Sequence, residues 1–322
     1  MTSFSYHASH EQFAPSELLV WAQRAEAAGF DGAFSSDHLQ PWGAAQGHSG
    51  FAWSWIGAAL QATQKITFGL ITVPGGWRYQ PVVLAQAIAT LAQMYEGRLP
   101  WIAFGSGQAI NERSVGTDWP GKCERNQRLF EGAQIIKRLL AGETVTHQGS
   151  VSALNAKIWS RPQQVPKLVG AAVTEETAAW LGEWADGLLT AGHDPEKLAK
   201  VVTAFRRAGG RNKPIYLKLG LSWAAGAAEA QRQAHDQWRF NVLSGDVSWE
   251  LARPGDFEQA TRFVRPEDMH ESLYISHEPA AHIERLSTLA DLGLDAIVLH
   301  NVGRNQSEFI DTFGERVLPS LR

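Results

Sequence analysis

With 322 residues, 44% hydrophobic and 19% charged, the chain has the make-up of a globular protein with a sizeable core, long enough for one large α/β barrel or two ordinary domains. A net charge of −4 without any Lys/Arg cluster argues against nucleic acid as a partner, because no run of phosphates would be neutralised. No stretch approaches the roughly 18 consecutive apolar residues of a membrane span. The single cysteine, Cys123, has no disulfide partner, and Met1 to His10 carry neither a basic region nor an apolar core, so a cytoplasmic protein with no membrane partner is expected.

In chain order, Phe4 to Tyr6 reads as a first strand, and Pro15 opens a helix in which Leu18, Leu19, Ala22, Ala25 and Ala28 recur at helical spacing before Gly29 closes it. Gly32 to Ser35 is a second strand, ending on Ser36-Asp37-His38-Leu39-Gln40-Pro41-Trp42. A Gly/Ser loop leads into a helix over Trp53 to Thr63, then a buried strand over Ile66 to Val73 that stops at Pro74-Gly75-Gly76. The helix from Pro81 aligns Leu84, Ile88, Leu91 and Met94, and the strand Leu99 to Phe104 runs into Gly105-Ser106-Gly107.

After a helix over Glu124 to Ala141, the short alternating pieces and two prolines of residues 144–166 predict an inserted β-hairpin. Strands then follow at Lys167 to Ala172, Gly187 to Ala191, Ile215 to Trp223 and Ala296 to His300. Helices accompany them at Thr174 to Trp184, Pro195 to Ala208, Ala225 to Leu243, Pro279 to Leu292 and Ser307 to Leu318, and residues 244–272 read as a second insertion. Eight strand–helix units predict parallel pairing with right-handed crossovers: one (β/α)8 TIM-barrel domain over residues 1–322, with a doubly wound sheet as the alternative.

In a barrel of this kind, chemistry gathers at the carboxyl ends of the strands. Those ends carry His7, His10 and Glu11; Asp37, His38 and Trp42; Thr72 to Gly76; Gly105 to Glu112; Ala171 to Thr174; Thr190 to His193; and His300-Asn301. There is no His-x-His pair after the first strand, and the spacing of His7 and His10 suits a loop at least as well as a metal, so no metal ligand is assigned and a metal-dependent hydrolase is disfavoured. A histidine donor and a flat indole at one strand end suit a planar ring cofactor, one polarising ring or substrate and the other walling the pocket. Taken singly, Asp37-His38 also reads as an internal hydrogen-bonded pair and Trp42 as a lid anchor. Gly105-Ser106-Gly107 permits close backbone approach, and the helix opening at Thr174 could hold a phosphate on its N–H groups. Thr174 also reads as a plain N-cap, which Glu175 and Glu176 favour.

Four ordered motifs, Ser36 to Trp42, Phe51 to Trp55, Arg78-Tyr79-Gln80-Pro81 and Gly105-Ser106-Gly107-Gln108-Ala109-Ile110-Asn111-Glu112, resemble the bacterial luciferase-like superfamily. Within it they are most similar to the deazaflavin (coenzyme F420)-dependent glucose-6-phosphate dehydrogenase branch, and the resemblance runs from Tyr6 to the last helix. It implies a (β/α)8 barrel with the flavin or deazaflavin ring at the strand carboxyl ends, a homodimer through the early helices, and a non-proline cis peptide near Ile71-Thr72. It further implies His38 and Trp42 as active-site residues and Asp37 as an acid contacting the cofactor. Ile71 and Thr72 would lie against the cofactor, Ser106 and Gly107 would form a phosphate-side turn, and Ala171, Ala172, Val173, Thr174 and Glu175 the phosphate-binding strand–helix step. Glu11 and His193 are the implied substrate contacts.

Three departures bear on the chemistry. The glutamate that the branch uses as its proposed proton donor is Gln108, an amide that can position a substrate but cannot act as a general acid. The expected lysine after Thr190-Ala191-Gly192 is His193, and an expected arginine falls at Ser272. Without those cations a sugar phosphate dianion is poorly compensated, so glucose 6-phosphate is not the expected substrate. The chain resembles a subset that has reverted to FMN. The sequence therefore points to an FMN-dependent oxidoreductase or monooxygenase acting on a small organic substrate, with His38, Trp42 and Gln108 as its catalytic residues. An F420-dependent dehydrogenase or reductase transferring a hydride is the alternative, and a non-catalytic flavin-binding protein is the alternative from another class.

Overall fold

The computed structural model describes residues 2–243 and 245–322; Met1 and Ser244, which begin the expected N-terminal and second inserted segments, lie outside the described residues. Eight parallel strands alternate with helices: β1 (Ser3–Ala8), β2 (Gly32–Ser36), β3 (Thr67–Ile71), β4 (Trp101–Gly105), β5 (Lys167–Ala171), β6 (Gly187–Ala191), β7 (Ile215–Ser222) and β8 (Ala296–Asn301). They pair in the order β3-β2-β1-β8-β7-β6-β5-β4. The first and last strands are neighbours, Ser3 opposite Ala296 and Tyr6 opposite Leu299, which a doubly wound sheet does not allow. The ring is completed where the strand expected over 66–73 divides. Beyond the cis peptide Ile71–Thr72, Val73 and Pro74 pair with Phe104 and Gly105 of β4. The architecture is a (β/α)8 TIM barrel.

Because a barrel strand is buried on both faces, its residues alternate between two cores. Outward positions such as Phe4, Tyr6, Phe68, Leu70, Leu217 and Leu299 pack under the helices. Inward positions Phe34, Trp101, Val169, Leu189, Tyr216 and Val298 fill the lumen. There Phe34, Trp101 and Tyr216 form a continuous stack, with ring centres 4.1 Å and 4.3 Å apart and planes within 14° and 15° of parallel. Gly69 makes room for it, since a Cβ there would overlap the Trp101 carbonyl oxygen and the Phe34 ring. One inward step further along each strand, the alternation delivers polar groups: His7 on β1, Ser36 on β2, Lys218 on β7 and His300 on β8. An aromatic plug thus carries a polar layer at the carboxyl end.

The helix Ala52–Ala62 packs its tryptophans against the barrel: Trp53 and Trp55 are both buried, and the Trp55 indole donates to the Pro15 carbonyl at 3.0 Å. Residues 145–148 and 152–156 form the expected antiparallel hairpin. The helix expected to reach Leu243 ends at Trp238, and the chain then breaks into short helical turns, including Arg239–Val242, Pro254–Ala260 and Pro266–Glu271. Phe240 and Phe257 from these turns close over Ile110, so the second inserted segment roofs the strand ends. Among the described residues no helix is long and apolar enough to cross a membrane.

Candidate active site

A cavity of about 400 Å³ opens at the strand carboxyl ends beneath this roof. On one wall stands Glu11, just beyond β1. One carboxylate oxygen accepts hydrogen bonds from the Ser9 hydroxyl, at 3.0 Å, and from the Ser36 hydroxyl; the other lies 3.5 Å from Nε2 of His38. Burial opposes ionisation of Glu11, but the His38 ring beside it, the Ser36 hydrogen bond and the Lys218 ammonium together outweigh it and hold the carboxyl at about 2. The His38 ring is oriented from its far side. The Asn111 carbonyl oxygen accepts N–H bonds from Leu39 (2.9 Å) and Gln40 (3.4 Å), which turns the Asn111 amide nitrogen toward Nδ1 of His38 at 3.3 Å. Nδ1 is therefore an acceptor, and the proton of the neutral ring sits on Nε2, toward Glu11. Burial lowers the pKa of His38, favouring that neutral form.

Trp42 is wedged between His38, at 4.8 Å between ring centres, and Phe257 of the roof, at 5.1 Å. It serves both as a cavity wall and as an anchor for the roof.

The Arg78-Tyr79-Gln80-Pro81 motif joins fold to site. The Gln80 side chain caps the helix Pro81–Met94 by accepting from Val82 N–H at 2.6 Å, with Pro81 at the first helical position. The Tyr79 hydroxyl donates to Asp37 at 2.8 Å. Arg78 reaches both acids of the motifs: it donates to the Asp37 carbonyl at 2.9 Å and lies 3.5 Å from the Asp37 carboxylate, while its Nε donates to Glu112 at 3.2 Å. One guanidinium cannot neutralise two buried carboxylates. Burial raises the pKa of Asp37 against the pull of Arg78, and it pushes Glu112 up to about 7.

At the turn after β4, Gly107 has φ of +85°, and a Cβ there would meet the Glu112 side chain at 2.9 Å and the Trp119 and Trp77 rings at 3.4 Å. Thr174 caps the helix Glu175–Trp184 by accepting from Thr177 N–H at 3.3 Å, so the N-cap reading of that residue holds. Lys122, Arg125 and Asn126 also line the cavity. Arg125 donates to the Pro120 carbonyl at 2.9 Å and to Glu250 at 3.1 Å, yet its buried Nε has no partner among the described residues. Flat walls, a turn with glycines on either side of Ser106, a helix N-terminus and an unsatisfied guanidinium N–H fit a planar cofactor with an anionic tail.

Of the residues singled out from the sequence, His38, Trp42, Gln108, Asp37, Ile71, Thr72, Ser106, Gly107, Ala171, Ala172, Val173, Thr174 and Glu11 line this one cavity. The Gln108 side chain makes no hydrogen bond to the described residues. Two residues lie elsewhere. Glu175 is exposed in the first turn of its helix, because the chain turns outward after Thr174. His193 lines an adjoining pocket of about 160 Å³, together with Ser272, and its Nε2 is 3.1 Å from the Glu271 carbonyl. Sequence reasoning assigned no role to Arg78, Glu112, Arg125, Trp238 or Lys218, all of which line the cavity. Lys218 left a local signal, a charge in the middle of the apolar run Ile215 to Ser222; the aromatic residue left none. Among the described residues no three His, Cys, Asp or Glu side chains are grouped to hold a metal ion.

Comparison with known proteins agrees with this geometry. The luciferase-like monooxygenase family matches residues 1–296. An F420-dependent glucose-6-phosphate dehydrogenase from Microbacterium testaceum is 36% identical, over 99% of this chain and 97% of its own. A solved F420-dependent secondary alcohol dehydrogenase, in complex with an F420-acetone adduct, superposes with a TM-score of 0.91 at 27% identity, covering 100% of this chain and 99% of that one. A monooxygenase from Streptomyces bottropensis shares the fold, with a TM-score of 0.76 at 18% identity, and covers 100% of both chains.

Proposed function

The chain belongs to the luciferase-like monooxygenase family and is an oxidoreductase, and from that premise we propose that it is an F420-dependent dehydrogenase acting on a hydroxyl or carbonyl group of a small organic molecule. The preference for FMN drawn from the sequence gives way: the relative at 36% identity and the solved structure at a TM-score of 0.91 both carry F420 in their names, whereas the monooxygenase neighbour is more distant. When bound, the deazaflavin supplies two-electron hydride chemistry.

The observation that carries this reading is the pair formed by Glu11 and His38, 3.5 Å apart on one cavity wall. Nε2–H of His38 hydrogen-bonds the substrate oxygen, and the ionised Glu11 oxygen beside it accepts the hydroxyl proton as the substrate is oxidised. Trp42 walls the pocket and limits water, Gln108 orients the substrate by hydrogen bonding, and the Gly105–Gly107 turn, Arg125 and Thr174 hold the cofactor. Glucose 6-phosphate is not the substrate in this proposal, since the small pocket beside the cavity has His193 and Ser272 where the family resemblance implies a lysine and an arginine, and its Lys197 stands beside Asp194. A homodimer, a cytoplasmic location and one barrel domain over the whole chain also belong to the proposal, the location supported by the lone Cys123.

Titrating the protein with F420 and with FMN in parallel, by quenching of cofactor fluorescence, tests it. Tight F420 binding with weak FMN binding, followed by F420 reduction on adding alcohols, is the expected result. Tight binding of FMN alone would overturn the deazaflavin reading and return the protein to the flavin enzymes.

A further inference from the structure

The polar layer above the aromatic plug contains a charge to which the mechanism gives no contact with the substrate. Lys218 lies on β7 one inward step beyond Tyr216, between Ala191 of β6 and Val298 of β8. It lines the cavity, and its ammonium makes no hydrogen bond to the described residues. No carboxylate among the described residues lies within the 4.0 Å of an ion pair, and Nζ instead sits 5.4 Å from the ring centre of Trp238. Glu11 is the acid whose charge reaches it, but both Glu11 oxygens face other partners: Ser9 and Ser36 on one side, His38 on the other.

The remaining titratable neighbours offer no negative charge. His7 and His300 are buried side by side, 4.3 Å between ring centres, and burial keeps both neutral, with Lys218 adding to the effect. Arg78 already holds Asp37 and Glu112, and Arg125 holds Glu250. A half-buried ammonium on a cavity wall, without a hydrogen bond or ion pair to the described residues, is poorly compensated, and an anion entering the cavity would complete it. The walls beside it are apolar and aromatic, with Trp238 and Phe240 both buried.

We infer that Lys218 is the substrate-anchoring residue of this cavity, and that the substrate is a monoanionic organic acid, a hydroxy acid or its oxo counterpart, whose carboxylate meets Nζ while its hydrocarbon body packs on Trp238 and Phe240. Among the described residues the adjoining pocket adds no unpaired cation, since Lys197 there stands 4.0 Å from Asp194, and of the cavity's other cations Arg125 is taken by Glu250 and Arg78 by Asp37 and Glu112, which matches one negative charge at Lys218 better than a phosphate dianion. This rests on the oxidoreductase reading for the identity of the reacting group, but not for the anion site itself.

The test is calorimetric titration of the protein with benzoate and mandelate, against benzamide and mandelamide as neutral counterparts of the same shape, for wild type, Lys218→Met and Lys218→Arg. Wild type is expected to bind each anion at least about ten-fold more tightly than its neutral counterpart. Lys218→Met should lose that preference while keeping the neutral affinities, Lys218→Arg should keep it within about three-fold, and cofactor affinity should be unchanged in both. Lys218→Met should also melt close to wild type, because the half-buried ammonium makes no hydrogen bond or ion pair to the described residues.

Equal binding of benzoate and benzamide by the wild type, a comparison that needs no variant, would overturn the inference. So would an anion preference that survives Lys218→Met, or a Lys218→Met protein that melts well below wild type, which would make the lysine a structural group. If neither F420 nor FMN binds the wild type, the oxidoreductase reading falls, whereas the anion titrations stand or fall on their own numbers.

Discussion

One carboxylate oxygen of Glu11 stands 3.5 Å from Nε2 of His38, and each partner is held from behind: Ser36 and Ser9 hold the acid, and Asn111 the ring. Neither residue can turn away without breaking a buried hydrogen bond, so the pair presents one oxygen and one N–H to the cavity in fixed relation. Glu11→Gln keeps the shape and removes the proton acceptor. It should lower kcat for F420-linked alcohol oxidation by about a hundred- to a thousand-fold, with F420 affinity within a few fold of wild type. Steady-state kinetics together with cofactor titration check this, and an unchanged kcat would remove Glu11 from the mechanism.

Gln108 faces the cavity with its amide free of partners among the described residues. Gln108→Glu puts a titratable acid there without disturbing a hydrogen bond. The expected outcome is a new acidic limb in the pH profile of kcat and faster F420-dependent turnover. Profiles of the two proteins that superpose would show that this wall does not exchange protons with the reaction.

Gly107 holds φ of +85°, with its missing Cβ directed at Glu112, Trp77 and Trp119. Gly107→Ala should cost about 1–2 kcal/mol in chemical denaturation from the left-handed backbone alone. Crowding against Glu112 would also shift the turn, so cofactor binding should weaken together with stability.

Burial raises Glu112 from 4.5 to about 7 despite Arg78, which gives it a defined pH signature. A carboxyl whose folded pKa is raised binds its proton more tightly in the folded state. Its stabilising contribution is therefore complete below about pH 4.5 and lost as pH rises through about 7. Thermal melts across that range should show Glu112→Gln gaining on wild type as pH increases, and a flat difference above and below it. A difference that runs the other way would mean that Arg78 wins over burial.

The plug of Phe34, Trp101 and Tyr216 depends on its central ring, which touches both others. Trp101→Ala should destabilise the fold by about 3–5 kcal/mol by transfer and cavity costs together. It should also lower F420 affinity, because the polar layer of His7, Ser36, Lys218 and His300 rests on this stack. Denaturant midpoints and the cofactor titration read the two effects separately.

Much of the architecture is legible in the sequence because its determinants are local. Apolar periodicity and the breaks at Gly29, Pro74-Gly75-Gly76 and Gly105-Ser106-Gly107 delimit the strand–helix units within a few residues. The order of motifs carries the family, and single residues, Gln108 and His193 among them, mark where this chain departs from it. Apolar pattern alone makes Ile66 to Val73 one continuous strand, because its interruption is a backbone event that no side chain announces; only the family resemblance implies the cis peptide at Ile71-Thr72.

The tertiary structure decided the rest. A parallel strand is buried on both faces, so alternation says that Tyr216 and Lys218 share a face but not that this face is the lumen. Only closure of β1 on β8 turns His7, Ser36, Lys218 and His300 into one layer. Likewise Glu11 with His38, Arg78 with Asp37 and Glu112, and His193 with Ser272 belong to different units of the chain and meet only when the barrel closes. The sequence by itself determined which residues stand at the strand ends. Which of them face each other, and whether Lys218 finds a carboxylate among the described residues, is a matter of distance across the ring, which no local pattern encodes.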